Sequence, residues 1–218
     1  MKVAAFLFDY DGTLVDTERA WAGAIVDMVN ARGAKAVEAD ILPGIIGRNW
    51  LDIDRWLRVR YPQTDTATIE ENAAELRRGF DRRAADFDAM KISASVEFLR
   101  RASKAAPCAV VTGSPRPDVE DGLKKLGIDS CVKLVLGAGE YAAGKPSPSG
   151  YLRSAELLGV DPSACVVIED SAVGVASGVA AGMKVIALDR STSIPQTFSG
   201  ETWKVDSLSE IDFDKEFS

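Results

Sequence analysis

Val3-Ala4-Ala5-Phe6-Leu7-Phe8-Asp9-Tyr10-Asp11-Gly12-Thr13 opens with a continuous apolar run that two acids then interrupt. An unbroken run of this length predicts a strand buried on both faces, with its C-terminal end reaching solvent at the acids. Asp9 and Asp11 are two apart, so on an extended segment they point to the same side. Gly12 allows the chain to turn sharply just beyond them. Alone, such a pair reads better as solvated loop acids or an Asx turn. The rest of the chain decides between these readings.

Working outward, three further fragments have similar surroundings: Val111-Thr112-Gly113-Ser114, Gly144-Lys145-Pro146 and Ile168-Glu169-Asp170-Ser171. Strands are expected at Cys108–Val111, Val132–Leu136, Cys165–Ile168, Lys184–Leu188 and Thr202–Val205. Helices are expected at Ala94–Ala105, after Ser114 as cap, after Ser147 as cap, and from about Ala172 to Ala181. Gly127, Gly159 and Gly182 serve as stops. Alternating strands and helices predict an α/β fold, a doubly wound parallel sheet with helices on both faces. Ligands of such sheets bind beyond the strands' carboxyl ends. Three of the four fragments fall directly there, and the Lys145 fragment follows its strand after a longer loop. Residues from Asp16 to Ala89 differ: they are rich in Ala, Arg, Glu and Asp, with helices expected near Asp16–Ala31, Trp50–Arg60 and Ala67–Asp86. The division is therefore 1–15 with 90–218 as an α/β core, and 16–89 as an inserted helical-bundle unit.

Bulk properties narrow the function. The 218 residues suffice for a sizeable core, and 46% hydrophobic with 27% charged residues is ordinary for a globular protein. A net charge of −7 argues against a nucleic-acid or anionic-membrane binder, both of which need clustered positive charge. The N-terminal apolar run is too short for a signal peptide or a membrane span, so a cytoplasmic protein is expected. Cys108, Cys131 and Cys165 show no C-x-x-C spacing and read as reduced thiols. The chain contains no histidine, which excludes a His-containing triad and any His-ligated zinc site. Carboxylates and a lysine must do any chemistry.

The four fragments supply what phosphoryl transfer needs. One carboxylate of the Asp9/Asp11 pair can attack phosphorus as a nucleophile, while the other donates a proton to the leaving oxygen and then activates water. Mg²⁺ would neutralise carboxylates crowded against a phosphate, with Asp170 as the natural second acidic ligand beside Asp9. Glu169 is placed beside the metal, as ligand or one step behind. The Thr112 hydroxyl and the Gly113 and Ser114 N–H groups can donate to an anion. The Lys145 ammonium can balance charge on the transferring group. Arg48, in Gly47-Arg48-Asn49, and Arg116 are further candidates for substrate contact. Trp21, Trp50 and Trp56 read as helical core packing rather than a sugar platform.

Taken together, the four fragments resemble the haloacid dehalogenase superfamily, specifically its sugar-phosphatase and β-phosphoglucomutase-like branch, over nearly the whole chain. The resemblance implies Asp9 as nucleophile, Asp11 as general acid/base, Thr112 and Lys145 as phosphate stabilisers, and Mg²⁺ held by Asp9, Asp170 and the Asp11 backbone carbonyl. It also implies that the insert is a cap that closes over the site. The expected function is hydrolysis of a small phosphorylated metabolite, a sugar or polyol phosphate, by a monomer through an aspartyl-phosphate. The alternatives are a β-phosphoglucomutase-type mutase and a non-catalytic binding or regulatory module. Three departures stand out. Trp21 occupies the position where those mutases carry a histidine. Tyr10 stands where a smaller residue is usual and should point away from substrate. Ala89-Met90-Lys91-Ile92-Ser93 replaces the usual Pro-Gly at the return to the core.

Overall fold

The computed structural model describes residues 2–45, 50–190 and 196–217. The described residues form two compact units, one built from 2–15, 91–190 and 196–217, the other from 16–45 and 50–90. The second unit carries α1 (Thr17–Ala31), α2 (Glu38–Ile45), α3 (Trp50–Arg60) and α4 (Ile69–Arg83). Its core gathers Ile25, Met28, Ile41, Leu57 and Leu76, with Trp21, Trp50 and Trp56 packed against it. Trp21 stacks on Phe80 with ring centroids 4.3 Å apart, so this aromatic serves packing between α1 and α4. α4 begins with a reciprocal cap: the Thr68 hydroxyl accepts from the Glu71 N–H, and the Glu71 carboxylate accepts from the Thr68 N–H. α2 had no sequence expectation, because Pro43 and Gly44 lie inside it. Packing supplies what propensity lacks: Ile41, Leu42 and Ile45 are buried, and a Cβ on Gly44 would sit 2.4 Å from the Trp56 ring.

In the first unit, among the described residues, six strands make one parallel sheet: β1 (Ala5–Phe8), β2 (Cys108–Val111), β3 (Leu134–Leu136), β4 (Cys165–Glu169), β5 (Lys184–Leu188) and β6 (Trp203–Val205). Their order is β3-β2-β1-β4-β5-β6. Every residue of β1, β2 and β4 is buried, as expected of parallel strands covered on both faces. The covering helices are α5 (Ser93–Ala105), α6 (Arg116–Lys125), α7 (Ser149–Leu158), α8 (Ala172–Ala180) and α9 (Phe213–Phe217). Leu7, Val111, Val167 and Val185 share one cluster with Tyr151 of α7 and Val175 of α8. Phe6 packs against Phe98, Phe213 and Phe217.

This order reverses direction at β1. From there the chain builds outward through β2 on one side, then returns to place β4 on the other. Phe8 is in register with Val110 and with Ile168. The residues just beyond these strands therefore emerge side by side at the switch point of the sheet, where doubly wound folds hold ligands.

Several caps differ from expectation. α6 starts at Arg116 behind Pro115, and α7 at Ser149 behind Pro148, with no side-chain cap bond in either case. A proline presets the first-turn φ and sacrifices only an N–H the helix could not pair. That leaves the Ser114 side chain for other work. α8 starts at Ala172 as expected, and the Ser171 hydroxyl caps it by accepting from the Gly174 N–H at 3.1 Å. Cys108 and Cys165 are buried, Cys131 is half-buried, and all three are free thiols. Among the described residues, no helix is long and apolar enough to cross a membrane.

Candidate active site

Asp9 directly follows β1. Its N–H donates to Ile168 O at 2.9 Å, extending the β1–β4 ladder by one rung, and the residue is 6% exposed. Its Oδ1 accepts a hydrogen bond from Lys145 Nζ. Lys145 lies in the β3–α7 loop, before a cis bond to Pro146, and also pairs with Glu169 Oε1. Glu169, the last residue of β4, is fully buried. Its Oε1 accepts from the Tyr151 hydroxyl at 2.6 Å and its Oε2 from Ser171 Oγ at 3.1 Å. The Tyr151 ring centroid is 5.5 Å from Lys145 Nζ, so one tyrosine flanks the ammonium and holds the acid opposite it. Asp170 comes next, with Thr13 Oγ1 donating to its Oδ1 at 3.2 Å.

Carboxylate oxygens of Asp9, Glu169 and Asp170 lie within 4.8 Å of one another. Burial pushes the Asp9 carboxyl up to about 8; Lys145 pulls against this, while Glu169 and Asp11 push with it. Burial alone would lower Lys145, yet Asp9 and Glu169 hold its ammonium well above the usual lysine range. Three carboxyl groups gathered around one ammonium form a cluster of hard oxygen donors that suits Mg²⁺.

Asp11 sits on a tight turn in which Gly12 N–H donates to Val15 O at 2.7 Å and Gly12 adopts φ +80°. A Cβ on Gly12 would come within 2.0 Å of Asp170 Oδ2, so glycine is required here for space as well as conformation. Ser114 Oγ donates to Asp11 Oδ2 at 2.6 Å, and Thr112 Oγ1 approaches the same oxygen at 3.4 Å. The turn after β2 thus orients the second acid.

The sequence matches the haloacid dehalogenase-like hydrolase family over residues 3–182. The chain belongs to that family. It is 32% identical to hexitol phosphatase A of Escherichia coli over 202 residues, covering 90% of this chain and 88% of the relative. It is 31% identical to a β-phosphoglucomutase of Mycobacterium bovis, covering 85% of this chain and 80% of the relative. A haloacid dehalogenase family hydrolase of Deinococcus radiodurans, solved with bound phosphate and sodium, aligns at TM-score 0.76 and 25% identity over 98% of this chain and 95% of that one.

In this hydrolase the structure gathers Asp9, Asp11, Thr112, Lys145, Glu169 and Asp170 at one end of the sheet. It revises the expectation for Ser114, whose N–H donates to Thr112 Oγ1 at 3.0 Å and whose hydroxyl serves Asp11, because the helix starts two residues later. Gly113 is exposed in the turn between β2 and α6. Arg116 is placed otherwise than expected: Glu140 takes its Nε at 2.8 Å and Glu120 lies 3.6 Å from Nη1, so its guanidinium is committed to neighbouring acids. Arg48 lies outside the described residues. Tyr10 is buried, and among the described residues its hydroxyl has no hydrogen-bond partner.

Sequence reasoning missed Tyr151, Thr13 and Gly174. A Cβ on Gly174 would lie 2.0 Å from the Glu169 carboxyl carbon, so this glycine makes room for the buried acid. Thr13 could have been found as the residue completing the Asp9–Gly12 turn. Tyr151 and Gly174 lie inside ordinary helical patterns and carry no such signal.

Proposed function

We propose that the protein is a Mg²⁺-dependent phosphatase acting on a small phosphorylated metabolite, a sugar or polyol phosphate, through an aspartyl-phosphate on Asp9. The observation that carries the proposal is the buried Asp9–Lys145–Glu169 constellation beside Asp170, with Asp11 separately oriented by Ser114. The relatives add a phosphatase named for hexitol and a phosphomutase.

In this reading Asp9 and Asp170 hold the metal together with the Asp11 backbone carbonyl, and Glu169 stands beside them. Bound there, Mg²⁺ supplies charge neutralisation to the phosphoryl oxygens. An Asp9 carboxylate oxygen attacks phosphorus, and the bond from phosphorus to the ester oxygen breaks. Asp11 gives its proton to that oxygen, releasing the alcohol. Asp11, now a carboxylate, takes a proton from water as the water oxygen attacks the aspartyl-phosphate; inorganic phosphate leaves and Asp9 is restored. Lys145 offsets charge on the equatorial oxygens, with Thr112 as a further donor. Glu169 and Tyr151 hold the ammonium in place. Choice among substrates is assigned to the helical unit.

The mutase alternative meets Trp21, which stacks on Phe80 and supplies no acid–base group where the mutases carry a histidine. Phosphate release from sugar, polyol and nucleotide phosphates, with Mg²⁺ or EDTA, tests the proposal. Release that needs Mg²⁺ and disappears in Asp9→Asn is expected. A folded protein releasing nothing, or converting a hexose 1-phosphate into an isomeric phosphate, rejects it.

A further inference from the structure

Two residues from the chain beyond β5, Arg190 and Gln196, lie at the carboxyl end of the sheet and touch both acid-bearing turns. Gln196 Nε2 donates to Asp170 O at 2.9 Å, and Gln196 Oε1 accepts from Ala172 N–H at 2.7 Å. One amide therefore brackets the main chain on both sides of Ser171, the residue that caps α8. The Ala172 N–H belongs to the first turn of α8 and has no acceptor within the helix, so the bracket satisfies a donor that would otherwise need water. On the neighbouring turn, Arg190 Nη1 donates to Gly12 O at 3.3 Å. Gly12 directly follows Asp11, and the two turns already meet through Thr13 and Asp170.

We propose that Gln196 is a positioning residue for the metal site, setting the Asp170 main chain so that its carboxylate faces Asp9, with Arg190 bracing the Asp11–Gly12 turn. The inference rests on the reading of Asp9 and Asp170 as Mg²⁺ ligands. Asp170 lies in the short link between β4, which ends at Glu169, and α8, which begins at Ala172. Within this link the Gln196 amide holds the Asp170 carbonyl, and the Val175 N–H holds that of Ser171. Groups that orient a ligand from behind contribute to metal affinity without touching the metal. Met at position 196 would keep the side chain's length while offering neither the donor to Asp170 O nor the acceptor for Ala172 N–H.

The test is calorimetric titration of Mg²⁺ into metal-free wild type, Gln196→Met and Arg190→Met, with thermal unfolding of each in EDTA. Gln196→Met is expected to weaken Mg²⁺ binding about tenfold, and Arg190→Met to weaken it less, both with unfolding temperatures near wild type. A Gln196→Met protein that binds Mg²⁺ as wild type does overturns the inference alone, whether or not its unfolding temperature falls. Should Gln196→Met not fold, Gln196→Glu keeps the acceptor for Ala172, removes the donor to Asp170 and adds a negative charge that favours cation binding; weakened binding there supports the inference, and unchanged or tighter binding rejects it. Wild type that fails to bind Mg²⁺ overturns both the inference and the metal reading beneath it.

Discussion

The Ser114 hydroxyl donates to Asp11 Oδ2 at 2.6 Å, joining residues from two different strand ends. Asp11 follows the central strand and Ser114 follows its neighbour, so the pair depends on β1–β2 register. In the proposed mechanism Asp11 first gives and then takes a proton, which works only if its carboxyl stays oriented through both steps. Removing the hydroxyl leaves Thr112, at 3.4 Å, as a weaker substitute.

Ser114→Ala is therefore expected to lower kcat about tenfold, a fraction of the ~10²–10⁴ that a positioned acid–base group contributes. KM should stay within about twofold, because the lost bond holds the acid rather than the substrate. Steady-state phosphate release measures both. An unchanged kcat would show that Asp11 keeps its orientation without Ser114.

Mg²⁺ binding should depend on pH through Asp9. Burial pushes this carboxyl up to about 8 in the metal-free protein, so below that pH the group mostly holds a proton that the metal must displace. Affinity should rise with pH between about 6 and 8, by up to about tenfold per unit, and level off above. Below the plateau, binding should release close to one proton. Calorimetry in buffers of different ionisation enthalpy counts that proton directly, and pH-independent binding without proton release would contradict the assignment.

Gly174→Ala sets two effects against each other. Alanine in a helix gains up to about 1 kcal/mol over glycine. Here the new methyl would meet the Glu169 carboxyl group at 2.0–2.1 Å. Overpacking of this kind costs ~1–3 kcal/mol, and displacing a buried carboxylate from its partners costs about as much again. The clash should win, with a net loss of about 2 kcal/mol in urea unfolding and a fall in kcat as Lys145 loses its counter-charge. A stabilised variant would mean that Glu169 has room to move.

Much of the core was legible because local and global signals agree there. Cys108–Val111 and Lys184–Leu188 have the strand limits expected of them, since each is a short apolar run between breakers. Asp9, Asp11, Lys145, Glu169 and Asp170 were legible because each lies at or after a strand end, where the switch point gathers them. What failed is instructive. The helix over Glu38–Ile45 runs against its own propensity and exists through burial of three apolar side chains, which no local pattern reports. Ser114 read as a cap because serine before proline usually is one; its hydroxyl instead crosses to Asp11, a contact decided by strand pairing. Arg116 read as a substrate contact from its nearness to Thr112, yet Glu140, 24 residues later, claims it. Tyr151 meets Glu169 through one long-range hydrogen bond and Gln196 brackets Ser171 through two, and such bonds leave no trace in periodicity or composition.

Val15 and Lys91 form an antiparallel bridge, and Ile92 N–H donates to Leu14 O at 3.0 Å. The chain thus leaves the sheet-bearing unit and re-enters it at adjacent points, as at the base of a hairpin. A stem of this kind makes the intervening segment exchangeable: any insert whose two ends lie that close could be grafted on without stretching β1 or shifting α5. Specificity could then diverge by replacement of a whole module between residues 15 and 91, while the register that aligns Asp9 with Glu169 stays untouched.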